Sequence, residues 1–274
     1  MATVADRFSF KEPRPDILSG TPRAHPIDRW IFVFMAAWFI TIVLIGFIPD
    51  AIMKVEAVQA GTRPPFPIVL HMHAVAMGSF LLLLLAQTTM VATGRNELHK
   101  QVGIAAFVLV PVLVLVGIVL APTMYYQTWN ALQTAPVAEQ AKLLELLYHK
   151  EDILLLQISA GLLFGTFVAI ALSARAGNSG LHKRMMILAT AVPLGASIDR
   201  MWWLPNTLPA SPWGTDLYIL LALSPMFAWD VIRNRGVHEA YRIWLAIYVP
   251  VALLVTVLWD KPWWHAAART ILRV

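Results

Sequence analysis

Apolar runs of about twenty residues, broken by short polar turns, recur along this chain. Seven stretches, near 30–49, 67–93, 102–124, 153–174, 185–204, 216–232 and 243–259, carry this pattern, and about 20 mostly apolar residues are needed to cross a bilayer core about 30 Å thick. The pattern predicts an all-α integral membrane protein, a seven-transmembrane helix bundle over 30–259. A polar, Pro-rich arm (1–29) precedes it and a tail (260–274) follows. Pro225 predicts a kink in the short sixth span, and Pro111 and Pro193 are further kink positions. The longest connection, 125–152, has Val137, Ala141, Leu144 and Tyr148 at helical spacing with Glu139, Lys142 and Glu145 between them. It reads as an amphipathic helix on the outer surface, or as an extension of the fourth span.

Composition supports the membrane reading and removes several classes of function. Hydrophobic residues make up 58% and charged residues 14%, where a soluble domain has roughly 45–50% and about 25%. With no cysteine, disulfides, thiolate metal ligands and cysteine-bound iron–sulfur clusters are excluded. A net charge of +5 suggests nucleic acid only until the basic residues are placed. With the N-terminus inside, thirteen of the 21 Lys and Arg fall on cytoplasmic segments, which is an orientation signal and not a nucleic-acid footprint. Trp129, Trp202, Trp203, Trp213, Trp259, Trp263 and Trp264 then gather at the outer interface. The expected topology is N-terminus cytoplasmic and C-terminus outside. The arm lacks the apolar core of a signal peptide and reads as an extended cytoplasmic segment.

Candidate chemistry centres on histidine. Leu-His-Lys occurs twice, in GRNELHKQVG (94–103) and GLHKRMM (180–186), each closing a basic turn between two spans. The offset of the two motifs raises a repeat of helix hairpins, spans 2–3 and 4–5. His99 and His182 therefore sit at the cytoplasmic starts of the third and fifth spans. The helix macrodipole there favours neutral imidazole, the metal-binding form, so the two could be axial ligands of a b-type heme. In the plainer reading Lys100, Lys183 and Arg184 enforce orientation, while the histidines cap helices or meet headgroups.

At the outer face, His71, His73, His149 and Asp152 offer ligands for Fe, Cu or Zn. His71 and His73 point about 200° apart on a helix, so hardly both face the bundle. His149 and Asp152 share a face at i, i+3. About 30 Å of bilayer separates this layer from His99, so no single ion spans both. Asp199 and Arg200, late in the fifth span, form an intramembrane polar pair, which is either a functional site or an interfacial ion pair. Gln87, Thr88, Thr89, Gln157 and Ser159 read as polar glue between helices. No retinal-type lysine, P-loop, dinucleotide fingerprint or HExxH motif occurs.

The stretch LHMHAVAMGSFLLLLLAQTTMVATGRNELHKQVG, with its His-x-His opening a span and Gly-Arg-x-x-Leu-His closing the turn, resembles a family of uncharacterised bacterial multi-pass membrane proteins. LHKRMMILATAVPLGASIDR resembles that family's second motif. The likeness covers roughly 28–205 and implies the bacterial inner membrane without implying an activity. More distantly, the central spans are similar to transmembrane diheme b-type cytochromes. His99 and His182 match an inner ligand pair, whereas His71 or His73 lacks a histidine partner within the fourth span, leaving Gln157 or His149 to substitute.

Three functional classes follow. One is a heme- or metal-binding redox protein exchanging electrons with a quinone. Another is an accessory or assembly subunit docking partners through the arm and the outer Trp-rich surface. The last is a small-molecule transporter or metal-dependent lipid-modifying enzyme.

Overall fold

The computed structural model describes Asp16, Leu18 and residues 24–274; the rest of the 1–29 arm lies outside the described residues. The described chain is helical, with no strand. Its elements are α1 (Pro26–Gln59), α2 (Ile68–Ala92), α3 (Asn96–Gly103), α4 (Ala106–Thr134), α5 (Val137–Ala174), α6 (Ser179–Ala191), a 3-10 turn (Val192–Leu194), α7 (Gly195–Ile198), α8 (Trp213–Asn234), α9 (Glu239–Leu258) and α10 (Pro262–Leu272).

Six helical stretches are long and apolar enough to cross a membrane: α1, α2, the near-continuous α3–α4, α5, α8 and α9. Their outward faces carry large apolar side chains such as Ile68, Val75, Leu82, Val108, Ile118 and Leu253. An exposed apolar surface of this extent suits lipid rather than water as the surrounding medium. The architecture is that of a multi-pass helical membrane protein.

The stretch expected to form one span over 185–204 is built differently. Helix begins earlier, at Ser179, where the Asn178 side chain caps it by accepting from the Leu181 N–H at 2.9 Å, as cap asparagines do. It then breaks at Pro193, which has no N–H to continue the ladder, tightens into the 3-10 turn and ends at Ile198. Val192 N–H bonds the Ala189 carbonyl instead of that of Leu188, and the Trp244 indole N–H takes the freed Leu188 carbonyl at 3.1 Å. Pro111 and Pro225, by contrast, sit inside helices that continue past them. The broken segment is the centre of the bundle, with Leu181, Met185, Ile187 and Leu188 fully buried against Phe39, Phe167 and Trp244. Gly46 of α1 lies so close to α7 that a Cβ there would sit 2.2 Å from the Ser197 carbonyl oxygen.

The connection 125–152 is not a surface helix standing apart. α4 continues to Thr134, Ala135–Pro136 turn the chain, and α5 runs unbroken for 38 residues from Val137. At 1.5 Å per residue α5 is about 57 Å long, so the α4–α5 tip projects well beyond a 30 Å core. Of the two expectations, extension of the neighbouring spans is what forms. α10 packs back on α5, with Trp264, Ala268 and Leu272 in a second, smaller core beside Leu147, Leu154 and Trp259.

Candidate functional site: polar clusters at the two ends of the bundle

At the end of the bundle where Asp16 and Leu18 lie, the two Leu-His-Lys histidines meet. His99 (α3) and His182 (α6) have ring centres 6.4 Å apart and ring planes 79° to each other. Neither caps a helix: Arg95 and Asn178 occupy those positions, while His25 and His238 cap α1 and α9 by accepting backbone N–H groups. The His182 Nδ1 lies 2.8 Å from the Ala171 carbonyl of α5. A carbonyl only accepts, so Nδ1 carries the proton and Nε2 is left with its lone pair. His99 is held by Gln87 of α2. Oriented by its surroundings, the Gln87 amide donates to His99 Nδ1 at 2.6 Å and to the His99 carbonyl at 3.0 Å, and accepts from Gly103 N–H at 3.1 Å. Gln87, expected only as helix glue, thus positions one of the two imidazoles.

Beside this pair lies a buried ionic cluster. Arg184, read from the sequence as an orienting cation, is fully buried. Its guanidinium donates to both oxygens of Asp230 (α8), with Nη2–Oδ1 at 2.8 Å, and to both oxygens of Asp16 at 2.9 and 3.0 Å. Lys183 pairs with Asp16 as well, donates to the Leu18 carbonyl, and lies over the Phe32 ring. Burial alone raises a carboxyl pKa, but Arg184 and Lys183 outweigh it and hold Asp16 down at about 2. His238 is pushed down to about 4 by burial, with Arg184 adding to the effect. Asp28 completes the same end, accepting from Trp229 Nε1 at 2.8 Å and from Arg233 Nη2 at 2.8 Å. Asp16 is therefore held by two cations from one helix.

The opposite end holds a separate cluster; about 28 Å of α5 separates Asp152 from Ala171. Glu151, fully buried, accepts from the Tyr125 hydroxyl at 3.0 Å, His265 Nδ1 at 2.8 Å and Arg269 Nε at 2.9 Å. Asp152 accepts the Asp260 N–H at 3.0 Å. Among the described residues, one group of three His, Asp or Glu side chains has its ligand atoms mutually within 4.8 Å: Asp152, Asp260 and His265. Of the outer candidates, the structure brings Asp152 into this group but not His71, His73 or His149. His71 is exposed, edge-on to Phe66 at 6.1 Å. His73 and His149 each have a buried Nδ1 without a hydrogen-bond partner, and His73 packs toward Gly117 of α4. Asp199 and Arg200 lie in the turn after α7 and diverge. Arg200 Nε pairs with Asp50 at 3.2 Å and its guanidinium stacks over Phe47 at 4.5 Å, while Asp199 accepts from Asn206 at 3.3 Å.

Sequence reasoning missed Asp16, Asp230, Glu151, Asp260 and His265. Asp230 and Glu151 had a usable signal, each being an acidic residue at the edge of an apolar run. His265, in a tail with no pattern around it, had none. No family model, curated protein or solved structure matches this chain.

Proposed function

We propose that this chain is a b-type heme-binding electron-transfer protein of the membrane, with His99 and His182 as the axial ligands. The observation that carries the reading is the separation of the two rings. Two histidines from α3 and α6 would be the residues to hold an iron porphyrin at this end of the bundle, and they lie close enough together for both to act. His182 has its Nδ1–H engaged by a backbone carbonyl, the usual way a protein fixes the tautomer and orientation of a ligating histidine. Bound there, a heme supplies one-electron redox chemistry.

The protein's own residues would hold and tune it. Ala171 fixes His182. Gln87 orients His99, donating to its Nδ1 at 2.6 Å, and the His99 Nε2 would have to give up its proton to hold the iron. In the proposed topology the broken α6–α7 segment is a seventh crossing, the arm end is cytoplasmic, and a membrane quinone is the electron partner.

The test is a hemin titration of the purified protein followed by absorption. Wild type should take up one equivalent with a low-spin spectrum. His99→Ala and His182→Ala should each lose that spectrum, and His71→Ala should keep it. Uptake unchanged in both alanine variants overturns the assignment.

A further inference from the structure

We propose that Asp152, Asp260 and His265 form a site for one divalent first-row transition ion, at the end of the bundle opposite the histidine pair and independent of it. The orienting residue is Glu151. It is fully buried and is held in place by Tyr125 and Arg269, and its Oε2 lies 2.8 Å from His265 Nδ1. A carboxylate receiving the Nδ1 proton of a histidine leaves Nε2 as the free donor, the arrangement that supports histidine metal ligands generally. The Nε2 atom is where a second observation enters. His265 is 5% exposed and its Nε2 is buried with no hydrogen-bond partner. A buried polar nitrogen without a partner is costly. This one is directed at carboxylates, with Asp260 Oδ1 3.6 Å away, too long for a hydrogen bond.

The spacing of the three groups suits one ion held by all of them. Ligand atoms around a metal with bonds of about 2.0–2.2 Å stand about 3–4 Å from one another, and here they lie within 4.8 Å. Asp152 is buried and Asp260 is exposed, so the site opens to solvent on the Asp260 side, from which water would complete the coordination. One imidazole and two carboxylates bring two negative charges, which a divalent cation neutralises. That mixed nitrogen–oxygen set suits Zn2+, Mn2+ or Fe2+ over Ca2+ or Mg2+, which prefer oxygen alone. The three ligands come from α5, from the loop before α10 and from α10, so the ion would also tie the C-terminal helix to the bundle.

The experiment uses the full chain in lipid nanodiscs, stripped with chelator and titrated calorimetrically with Zn2+. One Zn2+ per chain is expected. Asp260→Asn should weaken uptake at least tenfold; the residue is exposed, and Asn tolerates its positive φ of 53°, so folding is unaffected. His265→Gln should abolish uptake, and the double variant His99→Ala/His182→Ala should retain it in full. Absence of stoichiometric uptake by the wild type overturns the proposal. So does uptake left unchanged by Asp260→Asn, or uptake lost in the His99/His182 variant. Because heme binding is read separately at the other end, either assignment can fail without the other.

Discussion

Replacing Asp16 with asparagine should loosen the docking of Asp16 and Leu18 on the bundle. The carboxylate has 6% side-chain exposure and faces a guanidinium with none, so its charge is held by Arg184 and Lys183 with little solvent screening. Its folded pKa of about 2 lies below the ordinary 3.8. The ionised form is therefore favoured by docking, and that stability is complete above pH 3.8 and lost as pH falls toward 2. At 1.36 kcal/mol per pKa unit the shift is worth about 2 kcal/mol at neutral pH, or roughly a 30-fold change in the docked-to-released ratio. The chain has no cysteine, so Leu18→Cys gives a single thiol at a fully buried position. When opening and closing are fast, maleimide labelling tracks the released population. Adding Asp16→Asn should accelerate labelling of that thiol about 30-fold at neutral pH. Equal labelling rates in the two backgrounds would refute the clamp.

Three further outcomes follow from the structure. His238 has a folded pKa of about 4, below its ordinary 6.5, so stability present above pH 6.5 is lost as pH falls toward 4. A thermal-midpoint series should show wild type losing more over that interval than His238→Gln. Gly46→Ala drives a methyl into the Ser197 carbonyl, and overpacking of this kind costs about 1–3 kcal/mol. Gly78→Ala, with open space around it, should be neutral or slightly stabilising in the same thermal assay. Glu151→Gln removes the charge that Arg269 and His265 share and should cost about 3 kcal/mol. Hydrogen exchange should then show α10 loosening before the rest of the bundle.

The lipid-facing spans were legible because they are runs of one kind of residue, and their length alone identifies them. The broken segment after Asn178 was not. Its composition matches a span, but Pro193 and the Trp244 side chain that takes the freed carbonyl act together through tertiary contact, which no local pattern encodes. The histidine pair was half legible. The two Leu-His-Lys turns placed both rings at one end, while their partners, a backbone carbonyl and the Gln87 amide, became visible only in three dimensions. Arg184 shows the limit most plainly. A basic residue in a turn reads as an orientation signal, and only the fold reveals that two carboxylates from distant segments bury it. The same holds for the cluster at the opposite end, where Asp152 stood out beside an apolar run but its companions come from a tail more than a hundred residues away.

The heme assignment is tested most directly by low-temperature electron paramagnetic resonance of the oxidised, heme-loaded protein. A heme held by both His99 and His182 should give a low-spin ferric signal, and His182→Ala should abolish it. A high-spin ferric signal in the wild type, or no bound heme after loading, would contradict the account.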